Sequence, residues 1–193
     1  TYYSAETAVV TIVVNDVTAG AVAADQTICS GGNPAPFTGT SSATGSGTIS
    51  YQWQSSTTSC IAGFANIAGA TSSTYDAPAG LAVTTYYRRV AISTLNGVAC
   101  SATSNCVTVT INNVTAGAVD ADQTICSGGN PAAFTVTTAA TGSGALTYQW
   151  QSGTGGCGGS FSNIAGATAA TYDAPAGLTV TTTYRRITTS TLN

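Results

Sequence analysis

Lysine, histidine and methionine are missing from this sequence, and only 6% of its residues are charged. The cations are Arg88, Arg89, Arg185 and Arg186, two adjacent pairs that make no basic stripe. Gripping a phosphate backbone takes many cations, so nucleic acid is not an expected partner. Without histidine no serine has a plausible base, and the few acids sit in turn-like strings rather than as paired carboxylates. The chain is therefore not expected to be an enzyme, and no catalytic residue is assigned. The absence of histidine and of any CxxC pair removes structural zinc. Asp120 and Asp122 are two carboxylates where calcium wants six to eight oxygens, so no metal or cofactor is expected. The longest apolar run, "AVVTIVV" at 8–14, is too short to span a bilayer. "CSGGNP" and "GTGGCGGS" open no helix and read as turns, not phosphate loops.

What is present is 43% hydrophobic and rich in Thr, Ala, Ser and Gly. Disordered chains are poor in apolar residues, and Thr, Val, Ile and Tyr suit a pleated surface. The expectation is all-β. Six cysteines with almost no metal-ligand partners point to disulfides and an oxidising compartment, hence to an extracellular or cell-surface location.

A repeat sets the organisation. "VTAGAVAADQTICSGGNPAPFT" at 17–38 returns as "VTAGAVDADQTICSGGNPAAFT" at 114–135. Cys29 maps to Cys126, Trp53 to Trp150, Cys60 to Cys157 and Arg88 to Arg185, always at an offset of 97. Units of this length match one sandwich domain each, larger than solenoid repeats. "TISYQWQSS" alternates and puts Ile49, Tyr51 and Trp53 on one face. "TTYYRRVAIS" is followed by an Asn96-Gly97 hairpin signal and then by "SNCVTVTIN", with Val107, Val109 and Ile111 to one side. Six or seven short strands and a Trp on the third predict two tandem immunoglobulin-like β-sandwiches, with Trp53 and Trp150 in their cores. Taking Val90 as inward, Arg88 has core-side parity and is paired with Asp76, as Arg185 is with Asp173.

The opening segment "TYYSAETAVVTIVVND" is a weaker copy of 98–113, with Val10, Ile12 and Val14 in the places of Val107, Val109 and Ile111. Residues 1–16 therefore read as an orphan final strand, 17–113 as domain 1, and 114–193 as domain 2 lacking that strand. Two versions fit: the strand follows in a longer tandem array, or the leading strand of one subunit completes the last domain of the next. The second is β-strand addition, and a head-to-tail contact of that kind builds an open filament. The expected partner is self, through Val10, Ile12 and Val14.

In domain 1, Cys29, Cys60, Cys100 and Cys106 allow three pairings. Tyr3 and Val9 stand where Cys100 and Cys106 would fall in the leading segment, and their joint loss suggests that these two pair. Cys29 then pairs with Cys60, and Cys126 with Cys157.

The blocks "DQTICSGGNPAPFT…YQWQSS…IAGATSSTYDAPAGL…TTYYRRV…SATSNCVTVT" resemble, in order, the tandem Ig-like repeats of large Bacteroidetes cell-surface proteins, including the gliding-motility adhesins exported by the type IX route. The resemblance covers nearly the whole chain. It implies an exported, surface-displayed repeat protein with adhesive or filament-forming roles, with surface glycans or other cells as possible ligands. The family habit also implies a different pairing, Cys29–Cys100 with Cys60–Cys106. The functional expectation is a structural or adhesive surface filament; the alternative is a carbohydrate-binding or spacer module of a secreted protein, with Trp53 as a sugar platform.

Overall fold

A computed structural model describes residues 2–192. It is all-β, and the chain divides into two compact units, Thr1–Thr110 and Ile111–Asn193. Unit 1 begins with β1 (Val17–Thr18), β2 (Ala21–Val22), β3 (Gln26–Cys29), β4 (Gly39–Ser41), β5 (Thr44–Gly45) and β6 (Thr48–Ser56). It continues with β7 (Ala65–Asn66), β8 (Thr85–Leu95), β9 (Val98–Thr103) and β10 (Val107–Asn112), the last running past the division. The main sheet has the order β3-β10-β8-β6-β7, with β9 also on β8; β1 pairs β5 and β2 pairs β4. Unit 2 repeats much of this with β11 (Val114–Thr115), β12 (Ala118–Val119), β13 (Val136–Thr138), β14 (Thr141–Gly142), β15 (Ala145–Gly153), β16 (Ser162–Asn163) and β17 (Thr183–Thr191). There the order is β16-β15-β17, with β11 on β14 and β12 on β13.

The tryptophans sit at the centre of each unit. Trp53 and Trp150 are fully buried, and each indole N–H donates to a backbone carbonyl, of Ser72 and Ala169 respectively, at 3.0 Å. A buried indole needs such a partner, because an unpaired polar group in the core is costly. Phe37 and Tyr75 lie against Trp53 with Tyr87 packed on both of them, and Phe134, Tyr172 and Tyr184 repeat this around Trp150. The repeated "VTAG" has a steric cause. Gly20 and Gly117 have φ of 63° and 69°, and an added Cβ would lie 2.4 Å and 2.3 Å from the carbonyl oxygens of Ser41 and Thr138.

The parity of β8 is the reverse of the sequence expectation. Trp53 lies opposite Arg89, and because Trp53 points inward so does Arg89, which is 2% exposed. Its guanidinium donates from Nη1 to the Ser73 carbonyl at 2.7 Å and from Nη2 to the Ala19 carbonyl at 3.0 Å, and lies 4.6 Å over the Tyr51 ring. Arg186 repeats this with Ala170, Ala116 and Tyr148. Arg88 turns outward, donates to Gln54 at 2.7 Å and covers the Phe64 ring, as Arg185 does with Gln151 and Phe161. The expected pairs with Asp76 and Asp173 give way to carbonyl and amide acceptors. A guanidinium carries five donors on a flat frame, so carbonyls and a ring face can satisfy it inside a core.

Burial, then the neighbouring Tyr75, pushes the Tyr87 hydroxyl from 10.0 up to about 12, against an opposing hydrogen bond with Thr85. A group whose folded-state pKa is raised keeps its contribution below the unfolded value and loses it as pH rises through the folded one. Unit 1 is therefore expected to lose stability between pH 10 and about 12, the window set by Tyr87. Thermal melts across that range check this, and Tyr87→Phe should flatten the dependence. An unchanged slope in that variant would remove Tyr87 from the explanation.

Candidate functional site

The site begins with the strand that closes unit 1. Along β10, Val107 and Val109 are fully buried and Ile111 is 4% exposed, while Thr108 and Thr110 are half-buried. Strict alternation of β-branched residues with threonines makes one face apolar and one face wet. The strand runs between β3 and β8, antiparallel to β8, with Val107 opposite Tyr87 and Val109 opposite Thr85. Side chains fix its register. The Thr108 N–H donates to the Asp25 carboxylate at 2.8 Å. Asn105 clasps Val22, accepting from its N–H at 2.8 Å and donating to its carbonyl at 3.1 Å. The Arg89 N–H donates to the Ser104 hydroxyl at 2.9 Å. A disulfide from Cys60 to Cys106 ties the loop after β6 to the residue that precedes β10.

Among the described residues of unit 2, nothing occupies the corresponding place. A groove of about 700 Å³ opens there, and its lining includes Asp122, Ile125, Cys126, Phe134, Cys157 and Tyr184. The core beneath is correspondingly exposed. Phe37, Tyr87 and Val22 are buried in unit 1, while Phe134, Tyr184 and Val119 are only half-buried. Enough burial remains to raise the Tyr184 hydroxyl, with Tyr172 adding to it. The run "DQTICSGGNPA" is identical at 25–35 and 122–132, yet Gln26–Cys29 forms β3 and residues 123–126 form no strand. A ladder needs a partner, and among the described residues β3 has only β10 beside it.

The leading segment complements this picture. Residues 2–16 carry no strand, and Val10, Ile12 and Val14 are 86%, 87% and 76% exposed. The chain is anchored just after them. Asn15 donates to the carbonyls of Ser93 and Val98 at 2.8 Å and 2.9 Å and accepts from the Ser93 hydroxyl at 2.7 Å. Asn112, 97 residues on, makes the same reciprocal pair with Ser190 in unit 2. Each unit thus grips the segment that enters it by the same asparagine clasp. Asp25, Asn105 and the Asn–Ser clasps were not singled out from the sequence. The two asparagines could have been found by their shared place five residues before the "VTAG" glycine.

The cysteines differ from the pairing read from the residues. Cys60 joins Cys106, with Cα atoms 5.7 Å apart, and neither joins Cys29 or Cys100. Cys100 lies on β9 opposite Ser93 and Cys106 ahead of β10, so their joint absence from the leading segment does not mark them as a pair. Cys29, Cys126 and Cys157 are exposed thiols and Cys100 is half-buried, so the expected Cys126–Cys157 bridge is absent and both sulfurs line the groove. Of the pairs implied by the resemblance, Cys60–Cys106 is present and Cys29–Cys100 is not. Asp120 receives both the N–H and the hydroxyl of Thr135, which commits its carboxylate internally.

Two matches to one family cover most of the chain, over residues 18–113 and 115–192, and the protein belongs to that family, a domain of unknown function designated DUF8696. Neither curated proteins nor solved structures provide a match. The two matched stretches fall one on each repeat.

The disulfide closes a separation of 46 residues. Replacing both cysteines by serine should destabilise unit 1 by about 4 kcal/mol through the freed unfolded chain. Hydrogen exchange resolved by peptide is the measurement: β8 and β10 should exchange faster while β15 and β17 are unaffected. Equal loosening of both units would contradict this assignment.

Proposed function

We propose that this chain is a structural repeat protein of an extracellular fibre or cell-surface filament, built from immunoglobulin-like units whose closing strand is exchangeable. The carrying observation is the identical "QTIC" run, which is a strand beside β10 and none beside the open groove of unit 2. A β-segment laid in that groove would pair with 123–126 on one side and β17 on the other. Burying three β-branched side chains contributes about 1.5–3 kcal/mol each, and the edges now exposed would be covered.

Several features support an exported shaft. A disulfide persists in oxidising surroundings. Charge is sparse, and each buried arginine donates to two backbone carbonyls and lies over a tyrosine ring. The repeat blocks resemble those of Bacteroidetes surface adhesins, which fits display at a cell surface. This reading gives the chain no catalytic role. Trp53 and Trp150 are fully buried, so a sugar platform built on them does not fit.

The test is complementation. A peptide of residues 101–112 carrying Cys106→Ser, added to dilute protein, should bind the groove of unit 2. At a hundredfold excess over Kd it should stabilise that unit by about 2.7 kcal/mol, seen as a raised melting temperature and slowed exchange in β17. A peptide with the same residues scrambled should do nothing. If the matched peptide moves neither quantity, the groove is not a strand acceptor.

A further inference from the structure

The groove of unit 2 and the leading segment carry matching instructions for position, down to single residues. This inference rests on the reading of the groove as a strand acceptor. We infer that its occupant is residues 2–14 of a second copy of this chain, held in one register and without a covalent lock.

The register follows from unit 1. Val107 lies opposite Tyr87 and Val109 opposite Thr85. With the offset of 97, Val10 of the second copy comes opposite Tyr184 and Ile12 opposite Thr182. The Thr11 N–H then meets Asp122, the counterpart of Asp25, which receives the Thr108 N–H at 2.8 Å. Thr7 supplies a hydroxyl where Ser104 accepts from the Arg89 N–H. These features all recur, and the three apolar side chains they would bury are now in solvent.

Two features do not recur. Ala8 stands in the place of Asn105, so the clasp on Val119 is lost, and Val9 stands in the place of Cys106. Cys157, the counterpart of Cys60, remains an exposed thiol at the groove with no cysteine arriving to meet it. The strand inside unit 1 is therefore stapled, while the joint between copies opens reversibly and is indifferent to reductant.

The missing cysteine supplies the experiment. Val9→Cys is placed in a full chain that also carries Cys29→Ser, Cys100→Ser and Cys126→Ser, leaving Cys60–Cys106 and Cys157. Oxidised glutathione is the oxidant. The thiol introduced by Val9→Cys and the Cys157 thiol of another copy give up two protons and two electrons to form one disulfide, and the glutathione disulfide is reduced to two thiols. On a non-reducing gel the expected result is a ladder of dimers, trimers and higher chains. Adding Cys157→Ser should abolish it, and a reductant should collapse it. Val13→Cys, at the Thr110 position two residues beyond the Thr108 counterpart, should give at most a tenth of the yield.

A ladder that survives Cys157→Ser, an equal ladder from Val13→Cys, or a crosslink confined to single chains overturns the inference. So does the absence of any crosslink. If crosslinking fails while the 101–112 peptide still stabilises unit 2, the groove accepts strands but not this segment; if both fail, the acceptor reading falls as well.

Discussion

A β-strand is not a property of its own residues alone; it exists where a neighbour offers a ladder of donors and acceptors. In this protein that dependence falls on one strand position per unit. In unit 1, β10 is the partner of β3 among the described residues and one of the three partners of β8, with Val107 opposite Tyr87. In unit 2 no strand of the described residues lies in that place. Residues 123–126 lose their ladder, Phe134 and Tyr184 gain solvent, and a groove runs where three aliphatic side chains would lie. Backbone groups and apolar surface left open together are what sheet edges ordinarily avoid. Their coincidence at one place is the observation on which the proposed strand acceptor rests.

The rest of the framework is alike in the unit that holds this strand and in the unit with the open groove. The Trp indole, the inward arginine and the aromatic ring set form a frame held by hydrogen bonds to loop carbonyls, and that frame is the same in both units. Arg89 and Arg186 each join three chain segments, which holds a charged residue inside the core. Burying a guanidinium is costly unless its donors are met, and here two nitrogens are met by carbonyls while the plane rests on a tyrosine. The Nε of each stays buried without a hydrogen-bond partner among the described residues, a residual cost of the arrangement.

The sequence made legible the repeat, the all-β character and the alternation of Val107, Val109 and Ile111, because those follow from offset and period. It misled wherever a local rule met a tertiary one. Val90 was taken as inward by hydrophobicity, but the opposing Trp53 fixes the parity of β8, and the larger ring prevails. The pairing of Cys60 with Cys106 could not be read from residue counting, since three pairings are equivalent until the strand order places a loop beside the start of β10. The groove lay between the two cases. Its missing strand was visible as an unmatched copy, but its lining by Asp122, Cys126 and Cys157 needed coordinates. In the proposed exchange Cys157 would face Val9, at the place where Cys60 meets Cys106 in unit 1.

The account turns on whether the second "QTIC" run is a strand by nature or by company. Amide hydrogen exchange of Gln123–Cys126 compared with Gln26–Cys29, measured on the same chain over a wide concentration range, addresses this directly. The account predicts that 26–29 are slow throughout, whereas 123–126 exchange rapidly in dilute protein and slow as copies are brought together. Equal protection of both runs in the dilute chain would show that unit 2 closes on itself, and would contradict it.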